Sequence, residues 1–263
     1  MLEIQDYDVM GFRMAINGMR NAMNSWDKSD SYVVNDVFII GEDDMKLCKR
    51  LIKAGSSDRK FLRMIHVQFD IKASETFWMQ MDTYKVGTVS NSTSKMHTIH
   101  KRDLYLYDFS HDNTPIEELQ PIVDRLNELR NNYMMSKNKA YWNALIEQLP
   151  MSFMQMRTMD MNYETLMSIY FQRRNHKLDD WHTFCNWIIK LPYMEEFISV
   201  LDKKDIEARK NIDGVKKDDS NAMPYTEVSN DYGEKTIIYE YDPDEPTIDK
   251  EQCATREEGS NDE

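Results

Sequence analysis

Apolar and polar positions follow two rhythms along this chain. Ile65-His-Val-Gln-Phe-Asp-Ile71 is apolar at every second residue, the period of a strand with one buried face. From Asp43 to Ala54 the spacing is helical instead. Leu47, Cys48, Leu51 and Ile52 share a face there, and Gly55 supplies the stop. Helical spacing also covers Phe12 to Met23, Lys139 to Leu149, Tyr163 to Arg174 and Leu178 to Lys190. The longest predicted helix starts with Pro115 in its first turn and runs to Lys137, with Leu119, Ile122, Val123, Leu126, Leu129 and Tyr133 inward. Residues 1–10 alternate loosely and read as a first strand. Ser74 can cap a helix whose buried face carries Phe77, Trp78 and Met81. Asn24 to Ser31 is a polar loop with one Trp. The Met-rich segment after Pro150 receives no element, and Pro192 interrupts the pattern before a last apolar turn near Leu201.

Composition divides the chain at residue 203. Of 263 residues, 41% are hydrophobic, enough for one substantial domain, and the net charge is −13. Lys203 to Glu263 holds 9 basic and 18 acidic residues, which leaves the body, 1–202, at only −4. The reading is a globular domain over 1–202 and an acidic, partly disordered extension over 203–263. Within that extension Asp205 to Asn221 is charged and poor in apolar residues. Thr236 to Tyr241 reads as a candidate strand for docking on a sheet edge, and the final twenty residues are expected to be disordered. So acidic a chain is ill suited to nucleic acid, because phosphates would repel it. Three cysteines without a CxxC pair predict reduced thiols. No signal pattern opens the sequence and no apolar run could span a bilayer, so the expectation is a cytoplasmic protein with no membrane partner.

Candidate chemistry sits in two places. The first is Phe77-Trp-Met-Gln-Met-Asp-Thr-Tyr-Lys-Val-Gly-Thr-Val-Ser-Asn-Ser-Thr-Ser-Lys-Met-His97. An apolar helix end there runs into a loop of hydroxyls, an amide and two lysines. Such a loop can simply be solvated, or it can hold an anion with charged and directional donors. The second is Phe171-Gln-Arg-Arg-Asn-His176. Cations at a helix C-terminus also serve the helix dipole without any ligand. His97 and His100, and His176 and His182, lack the further ligands a metal needs, so no metal is expected. GxSxG, HExxH, Walker and GxGxxG motifs are absent.

In their surroundings these segments resemble the flavin-dependent thymidylate synthase family, over about residues 5–200. The family signature RHRxxSxNExSxR falls without gaps on Thr83-Tyr-Lys-Val-Gly-Thr-Val-Ser-Asn-Ser-Thr-Ser-Lys95. Gln80 precedes it, and Leu149-Pro150, Asn162, Leu166 and Arg173 follow at the family's spacing. No signature position is identical. Thr88 and Thr93 keep a hydroxyl, Lys85 and Lys95 keep a cation, and Thr83-Tyr84 replaces Arg-His. The His-rich turn before the strand becomes Ser57–Met64 without a histidine, an Arg before Leu-Pro becomes Ile146, and a second family Asn becomes Ser168.

The resemblance implies an α+β fold, helix-rich and packed on a small, mostly antiparallel sheet. It implies FAD contacts at Thr83, Tyr84, Lys85, Asn162 and Ser168. Nucleotide contacts are implied at Gln80, Asn91, Thr93, Lys95 and Arg173, with Arg173 polarising the pyrimidine. The implied reaction methylates dUMP to dTMP with methylenetetrahydrofolate and NADPH, in a homotetramer. Two alternatives stand beside it: a non-catalytic nucleotide- or partner-binding protein of the same fold, and an enzyme that modifies another pyrimidine nucleotide.

Overall fold

The computed structural model describes residues 2–202 and two short strands beyond them. The chain divides into two units, Met1–Ala208 and Arg209–Glu263. In chain order the first unit has β1 (Glu3–Met10), α1 (Phe12–Met19), β2 (Tyr32–Val34), β3 (Val37–Ile39) and α2 (Glu42–Ala54). Then come β4 (His66–Ser74), α3 (Glu75–Met81), β5 (Thr88–Ser92), the short α4 (Lys95–Thr98), α5 (Ile116–Ser136) and α6 (Lys139–Glu147). It continues with β6 (Met154–Asn162), α7 (Tyr163–Arg173) and α8 (Asp179–Ile189), and residues 194–202 are helical. This is the expected α+β class. None of the helices among the described residues is long and apolar enough to cross a membrane.

Four strands form one antiparallel sheet in the order β1-β4-β6-β5. The alternation read in 65–71 holds. Val67, Phe69, Ile71 and Ala73 are buried, while His66, Gln68, Asp70 and Lys72 face the other way. An antiparallel sheet can leave one face to water, and this pattern is its signature. The buried face joins a core that includes Phe77, Trp78, Tyr163, Leu166, Trp181 and Phe184. Ser74 caps α3 as expected, its hydroxyl accepting from Phe77 N at 3.3 Å.

Four expectations need correction. The Met-rich segment is a central strand: Met159 and Met161 of β6 enter the core, and Asp160 on the other face meets His66 Nδ1 at 2.7 Å. The hydroxyl-rich loop is in part the edge strand β5, held by β6. Pro115 stands at the cap position of α5 rather than inside its first turn. Ile122 is 42% exposed, because the buried stripe of α5 is Leu119, Val123, Leu126 and Leu129, and Ile122 lies on its flank near the helix start. That stripe packs with Phe109 and Leu145 in a second, smaller cluster.

In the second unit, β7 (Tyr225–Ser229) and β8 (Lys235–Tyr239) pair as an antiparallel hairpin. The strand expected near Thr236 is therefore present, with β7 as its partner. The charged stretch 205–221 and the final twenty residues, expected to be disordered, lie outside the described residues.

Candidate functional site

The site is built where α3, β6 and α7 converge. α3 ends at Met81, and the chain turns through Thr83-Tyr84-Lys85 and Gly87 into β5. β5 begins opposite the end of β6, with Thr88 across from Met161. The next residue after Met161 is Asn162, which opens α7. The Thr83–Gly87 turn is thereby held against the first turns of α7. Between them lies an open cleft of about 370 Å³, lined by Thr83, Tyr84, Lys85, Asn162 and Ser168 among others. All five residues expected to contact a cofactor thus line one cleft, although they come from segments 77 residues apart or more.

Asn162 forms its floor. Its side-chain oxygen accepts from Thr165 N at 2.9 Å, so Asn162 is also the N-cap of α7. Gly87 crosses it closely with φ +67°, and a Cβ there would sit 2.1 Å from Asn162 Nδ2. The amide cannot yield without giving up the cap. Gly87→Ala should therefore cost about 1–3 kcal/mol from backbone strain and the disturbed cap, read as a lower urea midpoint at constant slope.

Beside the cleft, Arg173 ends α7 and is gripped on several sides. Its Nε donates to Tyr84 Oη at 2.8 Å and its Nη1 to Gln80 Oε1 at 3.4 Å. The guanidinium lies 4.8 Å from the Trp181 ring centroid and 5.5 Å from that of Tyr84. Trp181 Nε1 donates to the same Gln80 oxygen at 2.8 Å. One N–H on Nη1 and both on Nη2 have no hydrogen-bond partner among the described residues. Arg173 is therefore more than a helix-end cation, and Gln80, Tyr84 and Arg173 meet as one group.

The cleft mouth carries charges that sequence reasoning missed. Arg59 Nε and Arg63 Nε donate to the two oxygens of Glu164 at 3.0 and 2.9 Å, and all three line the cleft. Lys85 is exposed and has no ion pair among the described residues. Three cations against one carboxylate leave the mouth positive in an otherwise acidic chain. Arg59 and Arg63 fall in the turn where the family places histidines, and that departure was the available signal.

Three expected nucleotide contacts lie elsewhere. Asn91 sits toward the far end of β5 and Thr93 just beyond it, where Thr93 N donates to Met156 O at 3.0 Å. Lys95 Nζ is 2.7 Å from Glu75 Oε1, so its charge is already matched within the chain. None of the three lines the cleft.

The two described thiols, Cys48 and Cys185, are buried. Burial pushes Cys185 up to about 11 and Cys48 up to about 12, so both stay protonated near neutrality. His176 titrates below its usual value because it is desolvated, with Arg173 and His182 adding repulsion. No group of three or more His, Cys, Asp or Glu residues is placed to hold a metal among the described residues.

No family model matches this chain, and no curated protein does. Two solved structures of thymidylate synthase X from Helicobacter pylori, each with FAD and dUMP, are similar to it. Each is 15% identical and matches over 75% of this chain and 96% of its own, with TM-scores of 0.57 and 0.56. The likeness is one of fold: a flavin-dependent thymidylate synthase-like α+β architecture carries this cleft.

Proposed function

We propose that this chain is a divergent flavin-dependent thymidylate synthase-like protein, which takes FAD into the Thr83–Ser168 cleft and a deoxyuridine nucleotide beside Arg173. In this reading it methylates dUMP to dTMP with methylenetetrahydrofolate and NADPH. The observation that carries the reading is the meeting of Gln80, Thr83-Tyr84-Lys85, Asn162, Ser168 and Arg173 in one site, on a fold whose Helicobacter pylori examples hold FAD and dUMP.

The residues fit part of the cofactor. Arg59, Arg63 and Lys85 suit a pyrophosphate, as fork-shaped and point-charge donors. Thr88, at a signature hydroxyl position, has a buried Oγ without a hydrogen-bond partner among the described residues. A volume near 370 Å³ lies at the small end of ligand pockets, so a dinucleotide would extend beyond the cleft. A homotetramer would let a second copy cover that extension and bring Asn91, Thr93 and Lys95 to a shared nucleotide. Bound flavin would supply the redox and one-carbon chemistry, while the protein orients the ligands. Arg173 would donate its remaining N–H groups to a pyrimidine oxygen and stabilise charge that develops there. In this reading 1–202 is the ligand-binding domain, 203–263 an acidic extension, and the compartment the cytoplasm.

A second reading, nucleotide binding without turnover, is favoured by the engagement of Arg173 with Tyr84 and Gln80 and of Lys95 with Glu75. One experiment separates the two. The purified protein is mixed with FAD and desalted, its visible spectrum is recorded, and tritium release from labelled dUMP is assayed. Retained flavin with turnover that falls at least about tenfold in Arg173→Ala, or 1.4 kcal/mol in the barrier, supports the enzyme. Retained ligand without turnover supports the second reading. A protein that keeps no flavin overturns the cofactor assignment.

A further inference from the structure

The polar groups around Arg173 form a chain with one direction. Arg173 Nε donates to Tyr84 Oη at 2.8 Å. The Tyr84 hydroxyl donates to Gln172 Oε1 at 3.0 Å. Gln172 Nε2 donates to Ser168 Oγ at 3.0 Å. The guanidinium starts the sequence because it can only donate, and each later group accepts on one side and donates on the other. Ser168 Oγ, at the end, accepts from Gln172 and keeps its O–H to donate into the cleft it lines. Arg173 and Ser168 are five residues apart on α7, more than one helical turn, and do not bond each other directly. The link between them passes through Tyr84, a residue 89 positions earlier in the chain than Arg173.

We propose that Tyr84 is a positioning residue that fixes the Arg173 guanidinium and couples it to Ser168, so that the two ends of the site present donors together. The ligand class that follows has acceptors at both ends: a carbonyl-bearing ring at Arg173 and an acceptor oxygen or ring nitrogen at Ser168. Tyr84 serves by its hydroxyl as much as by its ring. A phenylalanine would keep the contact with the guanidinium face and lose both hydrogen bonds. Arg173 Nε would then lose its partner, Gln172 could turn, and Ser168 would no longer be held as a donor. Only the binding arm of the test rests on the function proposed above.

The test is Tyr84→Phe in the full chain, with two readouts. The first needs no ligand: solvent exchange of the Arg173 Nε–H, followed by side-chain NMR and assigned by its loss in Arg173→Lys. It should speed at least tenfold in Tyr84→Phe, with the melting temperature changed by no more than a few degrees. An unchanged exchange rate would overturn the proposal. The second is calorimetric titration with dUMP. Tyr84→Phe should weaken binding about tenfold, but should add no further loss to Arg173→Ala, because the two act as one unit. Fully additive losses would overturn the coupling. If the parent protein does not bind dUMP, the proposed function falls, and the exchange rate still decides whether Tyr84 holds Arg173.

Discussion

Asp44→Ala is expected to cost the protein about 3–5 kcal/mol, the usual loss when one member of a buried ion pair is removed. Asp44 is fully buried in α2 and Arg20 is 4% exposed. Arg20 Nε donates to Asp44 at 2.6 Å, and the other carboxylate oxygen accepts from Ser29 Oγ at 2.7 Å, Ser31 Oγ at 2.5 Å and Ser31 N at 3.2 Å. The substitution leaves the buried guanidinium without its ion-pair partner and releases the loop that carries both serines. Against a typical total of about 5–15 kcal/mol, that is a large share. The check is the urea midpoint. Arg20→Met with Asp44→Leu should recover most of the loss, because an apolar pair needs no charge solvation. A single-variant loss below about 1 kcal/mol would mean that the cluster relaxes into water, as surface pairs do.

The same carboxylate gives a pH dependence of known sign. Burial alone would raise its pKa, but the hydrogen bonds from Ser31, Ser29 and Arg20 outweigh that and hold it below the usual carboxylate range. A depressed folded-state value means that the contribution is complete above the unfolded pKa, near about 4, and fades as pH falls through the folded value. The acid limb of the parent's stability curve should therefore be steeper than that of the paired apolar variant.

This cluster also marks where sequence reasoning stops. Periodicity located α2 and its Gly55 stop, because an amphipathic stripe is a local property. It could not reveal that α2 is capped from a distance, by Asp30 accepting from Asp43 N and Asp44 N at 2.9 and 3.0 Å. β4 was legible because its alternation is clean. β6 was not, because Met reads as filler in any element, and Gln155, Arg157 and Thr158 blur the alternation carried by Met159 and Met161. β5 is too short and polar to announce itself, and β6 makes it a strand. The β2–β3 hairpin has its sequence signal in the Asn35-Asp36 pair, whose φ values of +48° and +64° are those a tight hairpin turn requires. At the site, the residues picked out by family spacing, Thr83, Tyr84, Lys85, Asn162 and Ser168, line one cleft. The hydrogen-bond partners of Arg173 depend on contacts that span 89 to 93 residues, and no local pattern encodes those.

Trp181 is where the core and the site share one side chain, and its two substitutions should separate the two roles. Its ring is fully buried, 4.6 Å from Phe77 and 6.1 Å from Phe184 by centroids. Trp181→Ala should lose about 3–5 kcal/mol through the cavity it leaves. Trp181→Phe keeps much of that packing but deletes the indole N–H, which is the shorter of the two donors on Gln80 Oε1. Its stability loss should be closer to about 1–2 kcal/mol, for one hydrogen bond and some lost volume. Gln80 would then be free to rotate, and Arg173 would lose its Nη1 partner together with the indole face 4.8 Å away. A stable Trp181→Phe protein with dUMP affinity reduced about tenfold would place Trp181 among the groups that aim Arg173. Unchanged affinity would confine Trp181 to the core and leave Tyr84 as the main constraint on the guanidinium. The double variant with Tyr84→Phe distinguishes these cases again, since two grips on one guanidinium cannot lose their effects independently.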